Sequence, residues 1–502
     1  MSRISRRSLL TTGAAAGVLA ASGLGVSAGT PKAGGTLRAI VPGGKDSDTW
    51  DARTHDSLFM MAASHGAVFD CLTEIGADGG LRGELAESWT ASADARVWTF
   101  DLRKGVQFHN GKAFEAEDVL ETFALHIGYQ SGSPAEPLLR DVAGIKAIGA
   151  HQVQFTLISP NADFPYLLSD YHLVIFPAGY IELAMQNGIG TGLYKVADFK
   201  PGKRLCAHRV KNHYKGARAG FFDELLLINE TNPSARLNAL LEGDVNVSGQ
   251  ICPVHASQIS THRGVSLQNL QGNQHYSFAV GGNLDGHQAE AVRRAVKCAM
   301  DRPEFVRRSL MGYGQIGMDT PIGPANPYFA SSLTKPEYDP ELAKSLLREV
   351  GVKHLSIGVS AQSKREFSAT LENFTHQMAQ VGLRVDTVDR QATASLHFVA
   401  GRVTEDWAMS AYLAPGGVWN RTGWRDNRVN KLLSVARSEM DAEKRRGLYG
   451  DLQSVVQKSG SLLVPAFANH LQAVADTIAT PKTIGAQYAL DNARFAERWW
   501  RA

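Results

Sequence analysis

The sequence predicts a mixed α/β fold divided into two or three domains. Three observations carry this. The chain has 502 residues, 44% hydrophobic and 20% charged, which is enough to bury a large core and more than a single core usually fills. Between Leu81 and Phe123 the hydrophobic period changes from two to that of a helix within one stretch. Between Arg236 and Val245 the order reverses, a helix running to Gly243 at its C-terminal end and then a strand.

Residues 1–28 read as a signal peptide. Arg6-Arg7 precede Leu9 and a weakly apolar run from Ala14 to Leu24, and Val26-Ser27-Ala28 offers small residues for cleavage before Gly29. Paired arginines with Leu9 behind them resemble a twin-arginine export signal; a plain basic leader for general secretion is the alternative. Both routes lead to the periplasm, and no Cys follows the leader to make a lipoprotein. No other apolar stretch approaches the roughly 18 residues needed to span a membrane. The net charge of +3 owes much to the leader's arginines, so a nucleic-acid partner is not expected. Cys71, Cys206, Cys252 and Cys298 form no CxxC pair, which argues against zinc and leaves both disulfides and buried thiols open.

Thr36–Val41 alternates as a strand and is followed by a loop, Asp46 to Asp56, that carries Trp50 and His55. Trp98, Phe100 and Leu102 alternate with Thr99 and Asp101, and Lys104-Gly105 then predicts a hairpin turn into Val106-Gln107-Phe108. Asn110-Gly111 turns the chain again. Val119, Leu120, Phe123 and Ile127 recur at helical spacing, with Glu115, Glu117 and Asp118 in the first turn, where carboxylates favour the helix dipole. Tyr276 to Val280 alternates and is expected to cross between domains.

The wording of these stretches is more specific than their periodicity. Glu84-Leu85-Ala86-Glu87-Ser88-Trp89, the run Trp98 to Lys112, and Ala116-Glu117-Asp118-Val119 strongly resemble the extracellular solute-binding proteins of family five. These are the substrate receptors of bacterial dipeptide, oligopeptide and nickel ABC importers. The resemblance continues in order through Gly190-Thr191-Gly192-Leu193-Tyr194, Asn212-His213-Tyr214, Arg236 to Val245, Val292 to Arg302, Tyr338 to Leu347 and Asn430 to Tyr449. Four departures stand out. Glu115 replaces a capping Thr or Ser, Leu193 replaces a proline, Val385 to Val399 is short for the family, and Arg402 aligns with an Asp that holds a peptide's ammonium.

The resemblance implies a two-lobed periplasmic binding protein of type II, in its larger three-domain form, closing by a hinge on a ligand held between the lobes. Lobe one comprises 34–72, 190–275 and 470–502; the inserted domain is 73–189, and lobe two is 276–469. The implied function is capture of a short peptide, peptide-like or small organic solute for a membrane permease by a monomer without a cofactor. Ligand contacts are expected from Arg402, Asp406, Trp407, Trp419 and Asn420, with Trp50, His55 and Tyr276. An anionic ligand group is expected at Arg402, and Asp406 is expected to hold a cationic group or to orient Arg402.

Two other functions stay open: a sensor or chaperone without a permease, and a periplasmic hydrolase. The hydrolase lacks a G-x-S-x-G elbow, an H-E-x-x-H pair and a Walker lysine. Gly312-Tyr313-Gly314-Gln315-Ile316-Gly317 fits GxGxxG formally but follows a helical run, so a glycine loop is the better reading than NAD binding. Cys206, His208 and His213 are spaced irregularly for metal ligands.

Overall fold

The computed structural model describes residues 31–502 apart from 283, 360–366, 389–391, 415–416, 418–419 and 421–423. The expected leader, with Arg6 and Arg7, lies outside the described residues, and so does Trp419. The chain forms two units. One runs through Gln268 and takes up Leu471–Ala502; the other is Asn269–His470.

The first unit is built on a seven-stranded sheet in the order Val265–Leu270, His470–Ala475, Val247–Ser248, Thr36–Val41, Glu224–Asn229, Arg204–Arg209, Tyr194–Lys200. Thr36–Val41 pairs in parallel with both neighbours, and its Leu37, Ala39 and Val41 are fully buried. The core continues through Phe59, Phe69, Leu205, Leu227, Phe495 and Trp499.

A separate antiparallel sheet of the same unit runs Ala86–Ala91, Val97–Leu102, Gln152–Leu157, Val142–Gly149. The expected hairpin partner of Val97–Leu102 was wrong. That strand turns at Ala95 and pairs with Ala86–Ala91, while Val106 to Phe108 contributes only the bridge from Gln107 to Ala113. The apolar alternation is kept because Trp98, Phe100 and Leu102 fill the core from the sheet, while Val106 and Phe108 are buried from a loop. The helix is Ala116–Ala124, which leaves Ile127 beyond its end and exposed. Its start is not left uncapped by Glu115, since the buried Asp118 carboxylate accepts the Glu115 N–H at 2.7 Å.

Near the C-terminus, Leu490, Asp491, Asn492 and Ala493 all have positive φ, between 57° and 63°. A run of four non-glycine residues in this conformation costs about 1–2 kcal/mol per residue, and side chains hold it. Asp491 accepts from Gly485 N at 2.7 Å, Arg498 at 2.9 Å and Trp499 Nε1 at 3.3 Å. Asn492 accepts from Gln487 N, and Gln472 accepts from Leu490 N. The turn presses on Gly66, where a Cβ would meet Ala493 O at 2.0 Å, so no larger residue fits there.

The second unit carries a six-stranded sheet in the order Gly314–Ile316, Leu462–Ala468, His275–Val280, Ala394–Val399, His354–Gly358, Arg384–Val388. All seven residues of Leu462–Ala468 are buried, because helices cover both faces. Leu463 joins a core with Phe278, Val292 and Phe374, whereas Leu462 and Val464 join another with Met409, Leu433 and Leu452. Tyr276 to Val280 lies wholly in this sheet rather than crossing between domains. The GxGxxG stretch is not a plain loop either: Gly314–Ile316 is an edge strand paired with Ala466–Ala468.

Candidate functional site

In the second unit the strand Ala394–Val399 delivers the chain to Gly401, whose φ of 84° and tight approach to Asn273 turn it toward a helix, Glu405–Leu413. Thr404 caps that helix by accepting from Trp407 N at 3.2 Å. Arg402, two residues before the cap, places its guanidinium over the Trp407 ring at 4.8 Å and donates to Gly401 O at 3.0 Å. Both side chains are half-buried. This pair presents a cation backed by an aromatic face.

Asp406 is held from a second helix. Its carboxylate accepts from Arg437 Nε at 3.0 and 3.1 Å, while Arg437 Nη2 donates to Ser410. The side chain packs toward the helix Asn427–Ser438, so it fastens two helices, a role the sequence reading did not foresee. Asn420 spends its amide N–H groups on Leu413, Ala414 and Trp424 carbonyls at the helix end. The Tyr276 ring sits among Phe305, Phe367 and Phe398, as core packing would place it.

A buried polar chain lies nearby. His275 Nδ1 donates to Asn273 O, so its Nε2 accepts from the Tyr412 hydroxyl at 3.2 Å, and Tyr412 in turn accepts from Ser277 at 3.1 Å. Burial pushes the His275 imidazole down to about 4 and the Tyr412 phenol well up. Ser277 therefore points its hydrogen bond at a phenol, not at the histidine, and a serine nucleophile with its base is not assembled here.

In the first unit Trp50 and His55 are core residues. Trp50 is 1% exposed between Phe69 and Phe199, with ring centres at 6.1 and 4.5 Å. His55 contacts Thr49 O through Nε2 at 3.0 Å, and burial pushes its imidazole down to about 4. Cys206, His208 and His213 are not gathered as ligands: His208 faces Glu224, and His213 Nε2 meets Thr191 O at 2.7 Å. All four cysteines are free thiols.

The first unit also holds a cluster of charges that the sequence did not disclose. Lys215 Nζ donates to Asp70 at 2.8 Å, Glu84 at 2.7 Å and Glu497 at 2.8 Å, filling the centre of three carboxylates that lie close enough to hold a metal ion. Arg494 grips Glu84 through two N–H groups at 2.6 and 2.9 Å and reaches Glu497 at 3.2 Å. A cavity of about 690 Å³ opens beside them, bordered by Glu74, Arg82, Arg103, Tyr214, Arg218 and Arg498 among others.

Residues 80–425 match the model of the bacterial extracellular solute-binding proteins, family 5. The chain belongs to this family. Among its relatives is the nickel-binding periplasmic protein of Escherichia coli K12, 27% identical over 57% of this chain and 56% of that protein. The di/tripeptide-binding protein 2 of Pseudomonas aeruginosa UCBPP-PA14 is 24% identical over 74% of this chain and 78% of its own length. The DppA periplasmic binding protein of Helicobacter pylori, solved with the peptide STSA, superposes with a TM-score of 0.79 at 19% identity, covering 94% of this chain and 99% of that one. The fold is that of a two-lobed α/β periplasmic binding protein, and its biochemical class is solute binding.

For a family 5 solute-binding protein the sequence located Arg402 and Trp407 on one local motif, and the structure brings them together. The Lys215 cluster escaped because its members are spread from position 70 to position 497 and each is unremarkable in its own stretch. The one available signal was the pair Arg494 and Glu497 on a short apolar segment, where charges three apart need a buried partner.

Proposed function

We propose that this chain is the periplasmic receptor of an ABC importer, that it captures a short peptide or peptide-like solute carrying an anionic group, and that it performs no reaction. Membership in the solute-binding family across residues 80–425 carries the receptor role. The peptide class follows the di/tripeptide-binding relative, which matches over 74% of the chain, and nickel with histidine is the competing ligand. The anionic group follows from Arg402 on its Trp407 platform, since a guanidinium fork pairs with a carboxylate as an ammonium cannot. Residues 73–189 act as an inserted domain, and export uses the twin-arginine route.

Native mass spectrometry of the purified protein tests the ligand class directly, followed by a thermal-shift panel of peptides, opines, polyamines, sugars and nickel with histidine. A true ligand at a hundredfold excess over Kd stabilises the folded state by about 2.7 kcal/mol. Turnover of any panel member by the clean protein would overturn the receptor reading, and stabilisation confined to cationic or neutral solutes would overturn the anionic one.

A further inference from the structure

The charges around Lys215 do not balance. Three buried carboxylates, Asp70, Glu84 and Glu497, face two cations, Lys215 and Arg494. Counting outward does not cancel the excess, since two carboxylates join with one cation: Glu74 reaches Arg494 and Arg498, and Asp491 takes Arg498 at 2.9 Å. Among the described residues no other cation is paired with the three central carboxylates. His65 accepts the Arg494 Nε–H at 3.2 Å on Nε2, and burial holds its imidazole well below the usual range. His213 accepts the Lys215 backbone N–H and faces Thr191 O, so it is neutral as well. Arg103 lies over the Tyr214 ring and pairs with Glu87, while Arg218 stands at the cavity wall. An uncompensated charge in such a site is costly, and protonation of one carboxyl removes it.

Hydrogen bonding selects which carboxyl. Glu84 is held as an anion by Arg494 twice, by Lys215 and by Cys71 N at 2.7 Å. Glu497 shares both cations. Asp70 has no arginine: it meets Lys215 at 2.8 Å and the Thr191 hydroxyl at 2.9 Å, and that hydroxyl can turn to accept. Position gives the choice a consequence. Asp70 and Glu84 lie on the chain's way out to the sheet of Ala86–Ala91, Thr191 on its way back, and Arg494 and Glu497 on the C-terminal segment. All the connections between the two sheets of the first unit meet at this joint.

We propose that Asp70 is a proton-binding latch in this joint, protonated at and just below neutral pH, and that its ionisation in mildly alkaline medium loosens the grip of the joint on the C-terminal segment. Burial, partly offset by Lys215, pushes the Asp70 carboxyl up to about 7, whereas Arg494 and Lys215 overcome burial at Glu84 and hold it at about 2. A carboxyl raised in the folded state takes stability away as pH rises toward that value, and the loss is complete above it.

Infrared difference spectra of the full protein between about pH 6 and about pH 8.5 read the proton directly across the window in which the carboxyl ionises. We expect a protonated-carboxyl C=O band that disappears at the higher pH and is missing at both in Asp70→Asn. Hydrogen exchange of residues 489–499, corrected for intrinsic base catalysis, should rise about tenfold over the same interval in the native protein and under about twofold in Asp70→Asn, tenfold corresponding to one unit of differential protonation. Should Asp70→Asn fail to fold, Glu497→Gln decides: with one of the three central carboxylates gone, Lys215 and Arg494 match Asp70 and Glu84, so Asp70 stays ionised and the band is missing at both pH values. A native protein without a pH-sensitive carboxyl band, or a band that persists in whichever variant folds, overturns the proposal.

Discussion

Arg402 stands over Trp407, its guanidinium carbon 4.8 Å from the ring centre. The cation is thus carried on a flat apolar support, with its orientation set before any ligand arrives. Losing one partner of a partly dehydrated ion pair typically costs about 2–5 kcal/mol. Arg402→Ala and Arg402→Lys should each weaken ligand binding by more than about tenfold in titration calorimetry, with the melting temperature of the unliganded protein nearly unchanged. A loss of less than about threefold for Arg402→Ala would place the residue outside the binding surface.

Trp407 should report the same event optically. Its indole is half-buried with one face under Arg402, so a ligand that draws on the guanidinium changes the field at the ring. A variant keeping Trp407 as its single tryptophan is expected to shift its emission on ligand addition. An unchanged spectrum at saturation sinks the idea that this face is used.

Acid should destabilise the protein through its buried imidazoles. Burial pushes His55, His126, His213 and His275 each down to about 4. For a base lowered in the folded state, the unfolded chain protonates first, so stability is full above about 6.5 and is lost as pH falls toward about 4. Asp70 works in the opposite sense over the same range. At about pH 5 the four histidines and the one carboxyl leave a net uptake of about three protons on unfolding, or at most about 4 kcal/mol per pH unit. Calorimetric melting temperatures should therefore fall steeply from about pH 6.5 to about pH 4.5; a flat profile would show that these rings are solvated in the folded state.

Lys215 should matter more to stability than any surface lysine. Lys215→Met removes the cation common to Asp70, Glu84 and Glu497 and leaves Glu84 and Glu497 to Arg494. Breaking a buried pair of this kind costs about 3–5 kcal/mol. Urea unfolding at neutral pH should show that loss, and Glu497→Gln added to Lys215→Met should recover part of it.

Export is testable without structure. Changing Arg6 and Arg7 together to lysine should block secretion of a fused reporter through the twin-arginine route. Normal secretion of the double-lysine leader would reduce the pair to a basic leader.

The features readable in the sequence were those whose cause is local. The alternation of Trp98, Phe100 and Leu102 marks a strand because every second side chain must enter one core, and the helix of Val119 and Phe123 follows from the same logic. Strand partners are not local. Val106 and Phe108 are as apolar as a hairpin partner would be, but Ala86–Ala91 takes the pairing and they plug the core from a loop. The neighbourhood of Arg402 shows the same limit on a smaller scale. Its contact with Trp407 spans five residues and was within reach, whereas the hold of Arg437 on Asp406 depends on a helix thirty-one residues later.

The division of the chain constrains how the protein is made. The second unit is one continuous stretch, Asn269–His470, and can begin to fold as soon as the ribosome releases it. The first unit cannot, because Phe495 and Trp499 belong to the core that includes Leu37, Val41 and Phe59, and the strand His470–Ala475 belongs to its sheet. During translation its earlier part waits with an open core and an unpaired strand edge while more than two hundred further residues are synthesised. Until the C-terminal residues arrive, the apolar core and the strand edge of the first unit are exposed to association with other chains.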